Sequence, residues 1–297
     1  MPGDRSSSLW LVRKRVFPYL LLAPSVVVLL AVIAFPLIRG ISYSFTNKFL
    51  TEPLFHSVGL RNFIKLVNDP MFLLALKNSL LWTFFGVAAQ VVLGFFLAYL
   101  LNSGLRWEKA GVALFLIPWS MSRIIVSIIW LWLYNPIYGH LNYFLTSLGL
   151  PKMFWLADTN FALYFVLLTV VWRGTPFVML VFLAGLKSLD RELFEASIVD
   201  GASAWSQLRF ITIPLMNPLI RVITMLEIIW VFNEFDFIWI MTKGGPAGAT
   251  HILSTYSYYQ AFNRFDVGYG SAIGTVLFIV LIVISVLFLK LTELRKD

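Results

Sequence analysis

Residues 195–202 read Glu-Ala-Ser-Ile-Val-Asp-Gly-Ala, and residues 211–214 read Ile-Thr-Ile-Pro. This polar, partly amphipathic stretch lies between two long apolar segments of the chain. A polar segment between membrane spans usually serves to contact something outside the bilayer. The partner of this segment is therefore the main indication of what the protein does.

The composition places the chain among membrane proteins. Of its 297 residues, 59% are hydrophobic and only 13% are charged, which is typical of a polytopic membrane protein rather than a soluble domain. Cysteine is absent, so disulfides, thiolate metal sites and cysteine nucleophiles are excluded. The formal net charge of +8 is explained by the positive-inside rule, and no nucleic-acid partner is predicted.

Six apolar segments are long enough to cross a bilayer. Residues 16–38 contain no charge over 23 positions, which corresponds to roughly 34 Å of helix against ~30 Å of hydrocarbon. The predicted spans are residues 16–38, 78–105, about 110–134, 161–186, 210–240 and 267–289. The sequence therefore predicts an all-α polytopic membrane protein. It divides into an N-terminal segment (1–15), a six-helix domain (16–290) and a C-terminal tail (291–297).

The distribution of basic residues predicts the orientation. With the N-terminus inside, segments 1–15, 102–110, 187–209 and 290–297 hold 12 Lys or Arg in 55 residues. The outside segments 39–77, 135–160 and 241–266 then hold 8 in 91 residues. Because the density is more than twofold higher inside, we expect a multi-pass protein with both termini and the Glu195 loop in the cytoplasm. The first span is interpreted as retained rather than cleaved as a signal peptide.

The loop at about 188–214 has the signals of a short helix. Ser188 is a candidate N-cap, and Asp190 and Glu192 then fall in the first turn, where the helix dipole favours anions. Gly201 interrupts the helix and permits a bend or a close backbone approach. Pro214 opens the next span, where its missing N–H matters least.

An apolar stripe along this segment leaves two interpretations open. Phe194, Ile198, Ala202 and Trp205 recur at helical spacing. Such a helix either docks into a groove on a partner or lies on lipid headgroups.

The loop also resembles a known family. Glu195-Ala196-Ser197, Asp200-Gly201-Ala202, Ile211 and Pro214 resemble the EAA loop of permease subunits in binding-protein-dependent ATP-binding-cassette importers. The departures are modest: Ser197 replaces the second Ala, Leu208 stands where Phe is common, Ile213 replaces Leu, and Asp190 stands where Pro often precedes the helix.

Other stretches are similar to the carbohydrate branch of that family, the maltose and glycerol-phosphate type permeases. They are Phe35-Pro36, Tyr43-Ser44-Phe45, residues 59–63, Asn78-Ser79, Pro118-Trp119 and Gly244-Gly245-Pro246. The likeness spans about residues 16–290. It implies a type I importer permease fold with a cytoplasmic coupling helix, in the cell membrane of a prokaryote. The implied cargo is a sugar, an oligosaccharide, or a sugar or glycerol phosphate.

The resemblance also implies a set of partners. These are a second permease subunit of similar fold, two ATP-binding-cassette ATPase subunits and an extracytoplasmic solute-binding protein. It places Glu195 and Gly201 in the region that contacts the ATPase. We extend that prediction to the neighbouring positions Phe194, Ala196, Ile198, Asp200, Ala202 and Trp205.

The chain itself carries no signal of catalysis. It has no Gly-Lys-Ser/Thr phosphate loop, so ATP and Mg²⁺ are expected on the partner ATPase and this chain is predicted not to be an enzyme. Its three histidines, at 56, 140 and 251, are widely separated in predicted outside loops, and no metal site is expected.

Polar groups at membrane depth mark a substrate path, because each intramembrane charge must pair or face a cavity. Arg173 lies in Trp172-Arg-Gly-Thr-Pro-Phe177, where Gly174 and Pro176 are expected to break the helix and free backbone groups for a ligand. In the sugar branch this stretch lines the central cavity, and the resemblance aligns Gly174 and Phe177 with lining positions.

Two further stretches complete the predicted path. Residues 232–236, Phe-Asn-Glu-Phe-Asp, offer the aromatic, amide and carboxylate groups that bind sugars, and the candidates there are Phe232, Asn233, Glu234 and Asp236. Trp119 is the third candidate.

Structural roles compete with these assignments. Trp119 and Phe177 also suit packing or lipid contact, and Asn233 suits a hydrogen bond to a neighbouring helix. Arg123 and Arg173 equally suit ion pairs with Glu234 or Asp236.

Two rival functions are weighed against the importer. An ion-coupled secondary transporter of a small polar solute would use Glu234 and Asp236, but it predicts inverted repeats, which are not evident, and leaves the Glu195 loop unexplained. An intramembrane enzyme would need converging acid, base or metal-binding residues, which are missing. The sequence does not choose between sugar and sugar phosphate, or between a homodimeric and a heterodimeric permease core.

Overall fold

The computed structural model describes residues 17, 19, 21–102 and 108–293, and these residues form helices joined by turns. The helices are α1 (Leu21–Tyr43), α2 (Arg61–Val67), α3 (Pro70–Leu101), α4 (Glu108–Ser120), α5 (Arg123–Leu133), α6 (His140–Ser147), α7 (Ala162–Lys187), α8 (Arg191–Val199), α9 (Ala204–Gln207), α10 (Ile213–Phe232), α11 (Asp236–Met241), α12 (Leu253–Tyr258) and α13 (Val267–Glu293). Within the described ranges the only β pairing is two isolated bridges, Thr46 with Ser57 and Phe49 with Asp266. The predicted all-α fold is confirmed.

Five helical rods of the described chain are long and apolar enough to cross a membrane. They are α1, α3, α7, the rod Ala204–Met241 that joins α9 to α11, and α13. Helices α4 and α5 pass the same test together, although they are bent by 92°. Counting that pair as one span gives the six spans predicted from the sequence.

The spans are offset from the charge-free runs. Helix α3 begins at Pro70 rather than at 78, because Asp69 caps it by accepting a hydrogen bond from the backbone N–H of Met71 at 2.9 Å. Helix α1 continues to Tyr43, past Arg39. Long basic side chains such as Lys77 and Arg39 reach the interface from inside a helix end, so a charge does not mark where the helix stops.

The third span is broken where the sequence predicted a continuous helix, and α7 is continuous where a break was predicted. The chain leaves helical geometry between Ser120 and Arg123, with Ser122 in an extended conformation. The expected interruption at Gly174 and Pro176 is wrong, because α7 runs through both residues from Ala162 to Lys187. A membrane helix tolerates Pro when neighbouring groups satisfy the freed backbone carbonyl.

The core lies where α3, α7 and α10 meet. Trp82 of α3 is fully buried, and its indole Nε1 donates to the carbonyl oxygen of Val231 on α10 at 3.1 Å. Helix α1, by contrast, has no buried residue in its most apolar window in the single chain and packs mainly beside α13. Its apolar surface is therefore available to lipid or to another subunit.

The half-buried carboxylate of Asp69 joins three helices at one end of the bundle. The hydroxyls of Tyr256 and Tyr269 each donate to Oδ2 of Asp69 at 2.6 Å. Burial raises the pKa of Asp69, but the tyrosine hydroxyls and backbone N–H groups outweigh it and hold that pKa below its usual value. These two hydrogen bonds connect α12 and α13 to the start of α3.

Several predicted segments lie outside the described residues. These are the N-terminal segment 1–15, most of the predicted inside segment 102–110, and residues 294–297 of the tail. The orientation of the bundle in the membrane stays a prediction.

Candidate functional site

Two features bring the predicted site residues together, at different places in the bundle. The first is the α8–α9 segment, residues 190–207. Asp190 caps α8 by accepting from the backbone N–H of Glu192 at 3.1 Å, so Asp190, and not Ser188 as predicted, is the N-cap. Ser188 instead closes the end of α7, where its hydroxyl donates to the carbonyl oxygen of Gly185.

A glycine turn separates α8 from α9. Gly201 has φ +79°, its N–H donates to the Ile198 carbonyl at 3.0 Å, and the N–H of Ala202 donates to the Ser197 carbonyl at 2.9 Å. This pattern is the Schellman motif, which requires a left-handed residue after the helix end. A Cβ at Gly201 would meet nothing within 4 Å, so the backbone conformation alone demands the glycine.

The predicted apolar stripe is divided by this turn. Phe194 and Ile198 lie on α8, whereas Trp205 lies on α9, so the stripe from Phe194 to Trp205 does not belong to one helix. Ile198 is 62% exposed and Trp205 is 65% exposed. The segment therefore presents large apolar side chains to its surroundings. Among the other predicted coupling residues, Glu195, Ala196 and Asp200 are exposed and Ala202 is half-buried.

Ser197 ties the two short helices together. Its hydroxyl donates to the Phe194 carbonyl at 2.8 Å and accepts from Nε2 of Gln207 at 2.9 Å. The departure from alanine at this position thus supplies a side-chain link across the turn.

The second feature is a cavity of about 300 Å³ beside the break in the third span. It is lined by Gln90, Trp119, Arg123, Val170, Arg173, Gly174, Phe177, Glu227, Trp230, Val231, Glu234 and Phe237. The lining positions of α7 are spaced by three and four residues, as are those from Glu227 to Glu234. This spacing places the α7 positions on one helix face and Glu227, Trp230 and Val231 on one face of α10, whereas Glu234 lies in the connection beyond the end of α10.

The structure brings five of the eight predicted substrate-path residues into this lining. They are Trp119, Arg173, Gly174, Phe177 and Glu234. Phe232 is instead buried in the apolar cluster around Leu253, and Asn233 is exposed and donates to the Ile229 carbonyl of its own helix. Asp236 lies beside the cavity, next to Arg123.

Aromatic rings form one wall of the cavity. Trp119 stacks on Phe177 with ring centroids 5.4 Å apart and an interplanar angle of 20°. Phe177 meets Trp230 edge-on at 5.5 Å. Both tryptophans keep a substantial exposed fraction, so the rings pack on one another and still offer a face to a ligand.

The two arginines of the lining have different partners. Nη1 of Arg123 lies 3.2 Å from Oδ2 of Asp236 and 3.8 Å from Oε1 of Glu234, as the ion-pair alternative predicted. Arg173 donates through Nη2 to the backbone carbonyls of Trp119, at 3.3 Å, and Met121, at 3.2 Å. Its Nε also donates to the Met121 carbonyl. Arg173 therefore satisfies carbonyls that the broken span leaves without helical partners.

Sequence reasoning missed Gln90, Glu227 and Trp230 as lining residues. Gln90 is 2% exposed, and its Nε2 has no hydrogen-bond partner within the described ranges. It packs against Gly174, where a Cβ would overlap its amide group. An amide in the middle of the run 78–105, far from the polar residues at both of its ends, is the signal that identifies it. Glu227 and Trp230 precede Glu234 by seven and four residues, a helical spacing that the sequence displays.

Metal ligands are not gathered at either feature. No group of three or more His, Cys, Asp or Glu side chains able to hold a metal ion occurs among residues 21–102 and 108–293. The cavity offers hydrogen-bonding and aromatic groups instead.

Known proteins match the chain over most of its length. The family described as binding-protein-dependent transport system inner membrane component matches residues 90–296. The trehalose/maltose transport system permease protein MalF of Thermococcus litoralis is 32% identical over 94% of this chain and 94% of its own length. The sulfoquinovosyl glycerol transport system permease protein SmoG of Agrobacterium fabrum is 32% identical over 95% of this chain and 92% of its own.

A solved structure shares the fold. A chain of a bacterial ABC transporter involved in the import of the acidic polysaccharide alginate superposes with a TM-score of 0.86, covering 98% of this chain and all of that one. The two sequences are 23% identical, so this likeness concerns the fold alone.

Proposed function

This chain belongs to the family of binding-protein-dependent transport system inner membrane components, and on that premise we propose that it is the permease subunit of an ATP-driven carbohydrate importer. The substrate would arrive from an extracytoplasmic solute-binding protein and leave into the cytoplasm. ATP and Mg²⁺ would bind two separate ATPase subunits, so this chain performs no hydrolysis itself.

The observation that carries the proposal is the exposure of Ile198 and Trp205 on the α8–α9 segment. Large apolar side chains held on a hydrogen-bonded turn favour a docking surface rather than a loop that serves only as a connection. In the predicted orientation this surface faces the cytoplasm, where an ATPase subunit would receive it. Closure of the ATPase pair on ATP would then move the segment as a rigid body and switch the access of the bundle.

The cavity suits the proposed substrate class. Carbohydrates present apolar ring faces and many hydroxyls, which match the rings of Trp119 and Trp230 and the polar groups of Gln90 and Glu227. The trehalose/maltose and sulfoquinovosyl glycerol permeases support the same class. The exposed apolar surface of α1 suits a second permease subunit of similar fold, which would complete the pathway.

The coupling assignment is tested by co-purification of the ATPase and by ATP-dependent uptake in proteoliposomes. Ile198→Asp and Trp205→Asp place a charge in the docking surface, so both should abolish co-purification and uptake. Leu54→Asp, which makes the same kind of change at an 86% exposed position outside the segment, should retain both. Uptake that continues without ATP would favour the ion-coupled transporter. ATPase that still co-purifies with both variants would contradict the docking assignment.

The orientation has a separate test, because the chain contains no cysteine. Asp200→Cys should react with a membrane-impermeant maleimide only in inside-out vesicles. Glu52→Cys should react only in right-side-out vesicles. The reverse pattern would place the α8–α9 segment outside the cell and overturn the proposal.

A further inference from the structure

Another cavity, of about 500 Å³, lies at the end of the bundle that is predicted to face outside. We call it the outer cavity; it is formed by Met71 at the start of α3, by the loop 242–248 that follows α11, and by residues of 251–264 in and around α12. No described residue lines both the outer cavity and the cavity beside the broken span. The proposed function makes no use of it.

Two cations line the outer cavity. The lining includes Lys243 and Arg264 but no Asp or Glu among the described residues. Neither cation has an acidic side chain within 4 Å in the described part of the chain. Burial lowers the pKa of the third basic side chain, His251, to about 4, so its imidazole stays neutral near pH 7. The positive charge of the outer cavity therefore comes from Lys243 and Arg264.

The carboxylates closest to this lining in the contact network are engaged with other groups. Asp69 contacts the lining residue Tyr256, but its Oδ2 accepts hydrogen bonds from the hydroxyls of Tyr256 and Tyr269 at 2.6 Å. Oδ2 of Asp266 lies 3.8 Å from Nζ of Lys65. Neither carboxylate forms an ion pair with the two cations of the outer cavity.

The guanidinium of Arg264 is held by an aromatic ring. It lies over Tyr259, 5.6 Å from the ring centroid, and this cation–π contact favours one orientation of the guanidinium plane. The side-chain N–H groups of Arg264 donate to no residue in the described ranges. A guanidinium with free N–H groups presents parallel donors that match two oxygens of a phosphate or a carboxylate.

The loop 242–248 supplies backbone donors to the same cavity. The N–H groups of Gly244, Ala247 and Gly248 donate to no described residue, and all three residues line the outer cavity. Gly244 is buried, and a buried N–H group without an acceptor is rare in folded proteins. These three residues and Lys243 have positive φ, and turns of that kind gather N–H groups into concavities that bind anions.

Hydrogen bonds hold the loop in this shape. Oγ1 of Thr250 donates to the Gly245 carbonyl at 2.7 Å. Nδ2 of Asn78 donates to the carbonyls of Ala249, at 2.9 Å, and His251, at 3.0 Å. Lys243 is kept at φ +51°, which is costly for a residue with a Cβ and is found most often at functional sites. The donors of the outer cavity are therefore preorganised for a ligand.

We propose that the outer cavity binds an oxyanion, with Lys243 and Arg264 supplying positive charge and the loop N–H groups supplying further donors. A phosphate group meets both requirements, because its oxygens are negatively charged and accept hydrogen bonds. Free phosphate and the headgroup of an anionic phospholipid present the same chemistry at the outer face. The inference goes beyond the proposed function, since it needs neither the transported substrate nor the ATPase.

The test is a phosphate titration of the full chain, purified in detergent, at an ionic strength held constant with sodium chloride. Line broadening in ³¹P NMR reports binding, and we expect saturation with a Kd on the order of 1 mM. The double variant Lys243→Gln, Arg264→Gln should weaken binding by about tenfold or more, because it removes the charged donors. The control double variant Arg61→Gln, Lys152→Gln removes the same charge from exposed positions outside the cavity and should bind phosphate as wild type does.

Nanodiscs distinguish the two sources of the phosphate group. If free phosphate still binds to protein in discs that contain phosphatidylglycerol, the ligand is a soluble anion. If phosphate binds in discs of phosphatidylcholine alone and phosphatidylglycerol abolishes that binding, the ligand is the lipid headgroup. Either result supports the oxyanion site, provided that the cavity double variant loses phosphate binding in phosphatidylcholine discs.

Three results would overturn the proposal. The first is the absence of saturable phosphate binding by wild type, both in detergent and in phosphatidylcholine discs. The second is equal weakening in the two double variants, which would reduce the effect to net charge. The third is a wild type that binds no phosphate, with a cavity double variant that loses stimulation of ATP hydrolysis by a solute-binding protein; the surface would then be a protein docking site. The phosphate measurements do not involve transport, so they remain interpretable even if the proposed function fails.

Discussion

The α8–α9 segment and the cavity depart from ordinary burial in opposite directions. The segment exposes large apolar side chains, Ile198 and Trp205, whereas the cavity buries polar ones, Gln90 and Glu227. Apolar residues normally lie inside and unpaired polar groups normally lie outside. Each departure indicates what is missing from the single chain: an apolar partner surface in one case and a hydrogen-bonding ligand in the other.

The two features also differ in how they are built. The segment is held by local contacts such as those around Gly201 and Ser197, so its shape depends on few residues. The cavity is assembled from α3, α7, α10 and the broken third span. We therefore expect variants of the segment to change the maximal transport rate, and variants of the cavity to change the substrate concentration at half-saturation.

Among substitutions that test how the two features are built, the largest effect is expected at Gly201. Gly201→Val forces a β-branched residue to φ +79°, which costs about 1–2 kcal/mol or more and distorts the docking turn. Maximal uptake should fall by about thirtyfold, with ligand binding measured by fluorescence unchanged. Gly201→Asn is the matched control, since Asn tolerates the left-handed conformation. Its maximal uptake should fall much less than that of Gly201→Val. Equal loss in both variants would indicate that bulk, rather than backbone conformation, matters at this position.

The next effect is expected at Arg173, where the cavity depends on the broken span. Arg173→Leu leaves the carbonyls of Trp119 and Met121 without donors, at a cost of about 1–3 kcal/mol. The substrate concentration at half-saturation should rise by about tenfold, because the Trp119 wall is no longer fixed. ATPase co-purification should be unaffected. Arg173→Lys retains a donor and should rescue part of the loss. A fall in ATPase co-purification would show that the two features are not separable.

A smaller effect is expected at Trp119. Trp119→Ala removes one face of the aromatic wall and its stack on Phe177, a pair worth about 0.5–1.5 kcal/mol. The substrate concentration at half-saturation should rise by about fivefold, with the maximal transport rate unchanged. Trp119→Phe preserves a ring and should keep most of the affinity. A change in maximal rate alone would assign Trp119 to the access switch rather than to ligand contact.

The same contrast explains what the sequence predicts well. The α8–α9 segment is contiguous, so its cap, glycine and apolar positions are visible within twenty residues of sequence. Two predictions there are wrong: the identity of the N-cap residue, and the placement of the whole apolar stripe on one helix. Both errors have a local cause. Asp190 rather than Ser188 accepts the capping hydrogen bond of α8, and the turn at Gly201 ends α8 before Trp205. The six spans follow from hydropathy in the same way.

The cavity is harder to predict because it depends on which helix is broken and on helix rotation. Pro118 and Pro176 both lie inside helices, but the chain breaks after Ser120, where Arg173 is available to bind the freed carbonyls. That donor comes from another helix, so the local sequence around Pro118 does not reveal it. Rotation of α10 likewise decides that Glu227 and Trp230 face the cavity while Phe232 faces the opposite core.

The smallest effect is expected at Ser197, and it tests whether the link across the glycine turn contributes to coupling. Ser197→Ala removes the hydrogen bond from Gln207, a contribution of about 1 kcal/mol at most for a partly exposed pair. Maximal uptake should fall by about threefold, with half-saturation unchanged. Ser147→Ala is the matched control, because the hydroxyl of Ser147 makes the same bond to the carbonyl three residues earlier but has no cross-helix partner in the described part of the chain. Since alanine already occupies this position in the EAA pattern, full activity of Ser197→Ala would mean that the Schellman turn alone fixes the docking surface. If uptake falls equally in both variants, the loss would instead be due to the hydrogen bond from each serine hydroxyl to the carbonyl three residues earlier.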